Sequence, residues 1–169
     1  MMIIAPIIVA VAAAVAAGAL LYKPQQVMAI NGVECHALEQ TNYHVHSHLD
    51  VFVDGQKHQV PSKIGILSSP SCLYWLHTHD TDGIIHVEAP QPRDFTLGQF
   101  LNIWNQTKET DGFFSSVSDM NVTAYVDGKK IGDYKDIKLE SLKEIVIAYG
   151  KPPSSIPEKF DFATKGLRD

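Results

Sequence analysis

Residues 43–53 alternate. Tyr43, Val45, Leu49, Val51 and Val53 fall on one parity, and His44, His46, His48, Asp50 and Phe52 on the other. That is the period of a strand with one buried face. Asp54-Gly55 follows, a dipeptide suited to the type I′ turn because both central residues need φ > 0. The spacing predicts a hairpin over residues 44–60, with Val53 opposite Gln56 and Val51 opposite His58. This register puts His58 on the face of Leu49, Val51 and Val53, away from the other histidines.

A second hairpin is predicted over residues 72–90, where aromatic and β-branched residues flank Asp82-Gly83. A two-residue turn there sets His79 opposite His86 and His77 opposite Glu88. His77, His79, His86 and Glu88 then emerge on one face. Pro90 and Pro92 end the ladder, since neither donates a backbone hydrogen bond. Leu97, Phe100, Leu101 and Trp104 recur at helical spacing, with Thr96 or Asp94 as the cap. A third hairpin turns at Asp127-Gly128, between residues 120–126 and 129–131, and residues 144–149 form a closing strand. The phrase at 51–56 echoes that at 124–129, which is one hairpin chemistry used twice rather than a repeat. This order predicts an α+β domain: a small mixed or antiparallel sheet of hairpins under one covering helix, β-grasp-like in arrangement.

The ends differ in character. Residues 2–22 carry no charged side chain, and as a helix they span roughly 31 Å, enough for a hydrocarbon core. Residues 1–23 are therefore expected to be an N-terminal membrane anchor. The competing reading is a signal peptide, weakened by the missing basic segment and kept open by small residues around Val27-Met28-Ala29. Residues 24–34 read as a linker, 35–150 as the domain, and 151–169 as a proline-containing tail over the surface.

Bulk charge changes the picture little. The net charge is −5 and no basic patch is visible, which argues against nucleic acid as a partner. The two cysteines, Cys35 and Cys72, form neither a C-x-x-C pair nor a zinc ribbon. If paired, they close a loop of about 37 residues, worth roughly 4 kcal/mol in the chain-entropy model and implying an oxidising compartment. Two buried thiols, or one thiol acting as a metal ligand, are the alternatives. Asn105-Gln106-Thr107 and Asn121-Val122-Thr123 are glycosylation sequons, relevant only after export.

The chemistry lies in the histidines. Of eight, His44, His46, His48, His77, His79 and His86 share predicted faces with Glu88. Directly opposed Cβ atoms lie about 4.5–5.5 Å apart, close enough for two imidazoles to reach one ion. Three alternating histidines span about 13 Å, too far for all to bind one ion. Either one well-filled centre or adjacent centres follow. Six charged imidazoles would repel, so a neutral, metal-binding cluster is the better expectation. Imidazole and one carboxylate suit Cu(II), Zn(II) or Ni(II), and copper binds most tightly of these. The leading expectation is copper held for delivery, for storage or beside a membrane-bound copper enzyme. The alternatives are a zinc hydrolase or hydratase with three His ligands and Glu88 as base, and a metal-free module that senses pH through histidine. Glu88 is equally readable as a ligand or as a carboxylate orienting an imidazole, with Asp50 a weaker candidate.

The motifs H-x-H-x-H-L-x-V-F-V-D-G at 44–55, C-L-Y-W-L-H-T-H-D-T-D-G-I-I-H-V-E at 72–88 and F-T-L-G-Q-F at 95–100 together resemble an exported or membrane-anchored His-rich domain of archaea, including ammonia oxidisers, and of some bacteria. The resemblance covers roughly residues 35–150. It implies an extracytoplasmic His-rich domain and no particular activity; with the uncharged run at 2–22, the expectation is a single-pass membrane protein whose domain faces outside the cytoplasm.

Overall fold

The computed structural model describes residues 28–168. The expected anchor and residues 24–27 of the expected linker lie outside the described residues. Among the described residues, no helix is long and apolar enough to cross a membrane.

The organising strand is β3 (Tyr43–Val53), eleven residues long. On one edge it pairs in parallel with β11 (Lys143–Tyr149), from Ser47↔Lys143 to Val53↔Tyr149. Its other edge is shared: β8 (Ile84–Ala89) pairs antiparallel with the first half, and β4 (Gln56–His58) with the end. β9 (Val122–Val126) and β10 (Lys129–Ile131) extend the sheet beyond β11, and β7 (Leu76–His77) extends it beyond β8. A four-stranded sheet runs β1 (Ala29–Ile30), β2 (Val33–His36), β6 (Ser71–Tyr74), β5 (Ile66–Ser68).

Two predicted turns form as expected. Asp54 and Gly55 take φ of 47° and 81°, Asp127 and Gly128 take 49° and 75°, and Val53↔Gln56, Val51↔His58 and Val126↔Lys129 face one another. Residues 29–34, expected as the end of a linker, instead form the β1–β2 hairpin together with residues 35 and 36. Its turn, Asn31-Gly32, has φ of 48° and 76° and carries the same sequence signal. The segment before Cys72 also departs from expectation. Residues 71–74 belong to the smaller sheet, so the strand read as continuous from Cys72 changes sheets at Trp75.

Helix α1 (Leu97–Thr107) begins at Thr96, whose hydroxyl accepts from Gln99 N while the Gln99 side chain accepts from Thr96 N. This reciprocal pair satisfies two donors that helix geometry leaves free. α1 buries Leu97, Phe100, Leu101, Ile103 and Trp104 in one core with Leu49, Val51, Ile85, Val87, Ile145 and Ile147. Those strand residues all lie on the parity opposite the histidines, so the apolar core occupies one face of the larger sheet. The other face carries a smaller apolar cluster of Phe52, Val146 and Ala148, with Ile156 packed on it. The tail is thus partly integrated: Phe162 is buried, and Phe160 stacks on His48 with centroids 3.8 Å apart.

Cys35 and Cys72 are joined by a disulfide, with Cα atoms 5.5 Å apart and a sequence separation of 37. Of the three readings open at the sequence level, the pair is the one realised. Replacing both by serine is expected to lower the unfolding free energy of the full chain by about 2–4 kcal/mol. Urea denaturation checks this, and an unchanged midpoint would mean the bridge contributes nothing to stability.

Candidate metal centre

The histidine hairpin closes differently from the two-residue turn expected. His77 faces His86 and Leu76 faces Val87, a displacement of two residues from the predicted pairing. The cause lies in competing partners. Thr78 N donates to Ile64 O, and the Thr78 hydroxyl bonds Pro61 O and Ile64 N, so Thr78 leaves the ladder. Gly83 O is taken by Leu49 N, and Asp82 Oδ1 accepts from Ile84 N. Gly83, at φ +84°, packs so closely that a Cβ would lie 2.5 Å from Leu49 O and 3.0 Å from His48 Nε2. Only glycine fits there. Because side chains repeat every second residue, a shift of two leaves each on its predicted face. The site survives the change of register.

The β3–β8 ladder then sets His46 opposite His86 and His44 opposite Glu88. His77, His86 and His46 therefore stand in a row across three strands. His79, beyond the end of β7, comes back to the row with its ring centroid 4.5 Å from that of His86 and 4.8 Å from that of His77. Two overlapping groups result, His77–His79–His86–Glu88 and His44–His46–His86, each with its ligand atoms within 4.8 Å of one another. Either could hold a metal ion.

Glu88 is the hub. Its Oε1 lies 3.2 Å from His44 Nε2, 3.5 Å from His86 Nδ1 and 3.7 Å from His77 Nε2. His77 is the most constrained ring, only 1% exposed. Its Nδ1 lies 2.9 Å from Tyr74 O. A carbonyl accepts only, so Nδ1 carries the proton and Nε2 presents its lone pair to the cluster, 3.2 Å from His79 Nε2. A backbone carbonyl that fixes the tautomer is how ligating histidines are commonly oriented. Three further atoms of the cluster, His46 Nε2, His86 Nδ1 and Glu88 Oε2, are buried without a hydrogen-bond partner among the described residues. Buried polar atoms normally find partners.

Burial shifts two of the histidines toward the neutral form. Burial first, then the neighbouring His86 and His44, lowers His46 from 6.5 to about 4. Burial likewise lowers His77 to about 4, against the opposing pull of the Tyr74 hydrogen bond and Glu88. Burial alone would raise Glu88, but the adjacent His86, His77 and His44 rings bring it below the usual glutamate value. Neutral His46 and His77 near an ionised Glu88 are what a cation requires.

His48 lies apart from the other expected ligands. Its Nδ1 lies 2.7 Å from Glu144 Oε2 and its Nε2 2.8 Å from Asp82 O, so both nitrogens are committed to hydrogen bonds. His48, Asp50 and Glu144 do converge as a third buried group, but Lys57 Nζ occupies Asp50 at 2.6 Å. The i, i+2, i+4 spacing is too long for one site, and His48 falls beside β11 instead. His58 lies on the core-side parity, stacked on Phe113 with centroids 4.4 Å apart. His36 pairs with Glu34 at 3.1 Å. Two acidic residues escaped the sequence reading. Glu144 shows only strand alternation, and Glu39, 3.6 Å from His79 Nε2, sits in a loop with no periodic signal.

The chain matches no protein-family model, no curated protein and no solved structure. What the chain is follows here from its own fold and site. It is a mixed α+β domain, mostly sheet, with a disulfide and buried His/Glu groups able to hold a metal ion.

The lowered histidines predict a pH effect. His46 and His77 take protons more readily in the unfolded chain, near 6.5, than in the folded one, near 4. Their contribution is complete above pH 6.5 and is lost as pH falls toward 4. Glu144, raised by burial, works in the opposite sense above its unfolded value, so the informative quantity is a change in slope. Urea midpoints of metal-free chain should fall less steeply from pH 6.5 to 4 in His46→Gln than in the unsubstituted chain. Equal slopes would show that burial does not hold His46 neutral.

Proposed function

We propose that this chain is a membrane-anchored, extracytoplasmic copper-binding protein whose histidine face stores or delivers the ion, or presents it to a membrane-bound copper enzyme. One observation carries the reading: imidazoles and one carboxylate converge in groups able to hold an ion, and His46 Nε2, His86 Nδ1 and Glu88 Oε2 are buried there without a hydrogen-bond partner among the described residues. The ligand chemistry, nitrogen with a single carboxylate, favours Cu(II) among divalent ions. The uncharged run at 2–22 supports the anchor, and the disulfide supports an oxidising compartment. The resemblance to exported His-rich domains points the same way. The parallel central pair β3 and β11, flanked by hairpins, supports a β-grasp-like description of the fold.

The zinc-enzyme alternative needs Glu88 free to take a proton from bound water. Its Oε1 is instead surrounded by three imidazoles, a position suited to a ligand or counter-charge. A pH-sensing module needs histidines that titrate between pH 5 and 8. Burial takes His46 and His77 below that range.

The purified full chain should bind Cu(II) more tightly than Zn(II) in competition titrations read by elemental mass spectrometry. His77→Ala and His86→Ala should each weaken copper binding by at least about tenfold, since removing even an orienting partner costs 10–100-fold in affinity. His58→Ala should leave it unchanged. Zinc outcompeting copper, together with CO₂-hydrating or esterase activity, would favour the enzyme reading. Absence of binding to either ion would end the metal reading.

A further inference from the structure

The two donor groups overlap in a single residue, and that overlap has chemical meaning. His86 is the member common to His77–His79–His86–Glu88 and to His44–His46–His86. It occupies the middle strand of three, with His46 opposite it on β3 and His77 opposite it on β7. Its ring centroid is 4.7 Å from that of His46, 4.5 Å from His79, 5.4 Å from His77 and 5.8 Å from His44. Four imidazoles thus flank one, drawn from both neighbouring strands.

A single ion is a poor fit to all of these. His46 and His77 are separated by two strand spacings, about 10 Å between backbones. The His77 and His86 rings are near-parallel, 9° apart, whereas His46 and His79 meet His86 edge-on at 83° and 89°. Nitrogen ligands bind at about 2.0–2.1 Å, so each group can close on an ion of its own. Glu88 Oε1, 3.2 Å from His44 Nε2 and 3.7 Å from His77 Nε2, faces both groups. An imidazole has two ring nitrogens directed away from each other, and a ring between two groups can offer one to each.

Building on the metal-binding reading above, we propose that the cluster holds two divalent ions that share His86, one with His77, His79 and Glu88, the other with His44 and His46. On binding through both nitrogens, His86 releases its remaining N–H proton to solvent and becomes a singly negative bridge. That charge adds to Glu88 in offsetting the four positive charges of the ions. Glu39, with Oε1 3.6 Å from His79 Nε2, supplies further negative charge at the mouth of the first group. The third group takes no ion, because His48 is held by Glu144 and Asp82 O and Asp50 by Lys57.

The test is a Cu(II) titration of the purified full chain, with copper per chain measured after desalting and unpaired spins counted by EPR. Two coppers per chain are expected, with far fewer spins than copper because the shared ring couples the two ions. The double variant His44→Ala/His46→Ala should retain one copper with a full spin count, as should His77→Ala/His79→Ala. The unsubstituted chain alone decides the matter if a variant fails to fold. One copper per chain, lost in both double variants, would overturn the two-ion arrangement while leaving the metal-binding function standing. Two coppers with a full spin count would overturn the sharing, and three would overturn the exclusion of His48. No bound copper in the unsubstituted chain would remove the function and this proposal together.

Discussion

The alternation of side chains along β3 is the constraint on which the rest depends. One parity of this strand, with Leu49 and Val51, closes the core beneath α1. The other carries His44, His46, His48, Asp50 and Phe52. Because β3 pairs with β11 on one edge and with β8 and β4 on the other, its faces set those of its neighbours. The apolar parity must be buried, so the polar parity has nowhere else to go. The imidazoles are on one surface as a consequence of core formation, with no separate device needed to place them there.

That surface is divided into zones along the strand. The imidazoles and Glu88 lie across β7, β8 and the first half of β3. His48, Asp50 and Glu144 form a buried polar block beside them, and Phe52, Val146 and Ala148 make an apolar end with Ile156 packed on it. The C-terminal segment completes the cover. Phe160 stacks on His48, and Lys165 reaches Asp82 at 2.9 Å, so the tail ties the β7–β8 loop to the sheet. Within the cluster, burial of His46 and His77 removes the water that would otherwise stabilise their charged forms. The same burial that costs His46 and His77 their protons leaves their lone pairs free for a cation.

Much of this was legible from residue order. The turns at Asp54-Gly55 and Asp127-Gly128, the cap at Thr96, the helix from Leu97 and the exclusion of His58 all rest on interactions within a few residues. The β1–β2 hairpin was legible too, since Asn31-Gly32 is the same kind of signal, but its short flanking strands hid it. The register at Asp82-Gly83 was not legible. Local propensity favoured a two-residue turn there, and contacts from Leu49, Ile64 and Pro61, all distant in sequence, took the backbone and side-chain groups that such a turn would have used.

What residue order determined by itself is therefore the face of each histidine from His44 to His86, though not of His36, because that depends only on whether a position is odd or even within its strand. The tertiary structure decided which histidines meet. Pairing of β8 between β3 and β7 brought His86 into two groups at once, and the parallel approach of β11 drew His48 to Glu144. Both depend on which strands become neighbours, a choice made by the burial of the whole core. No short stretch of the chain contains that information.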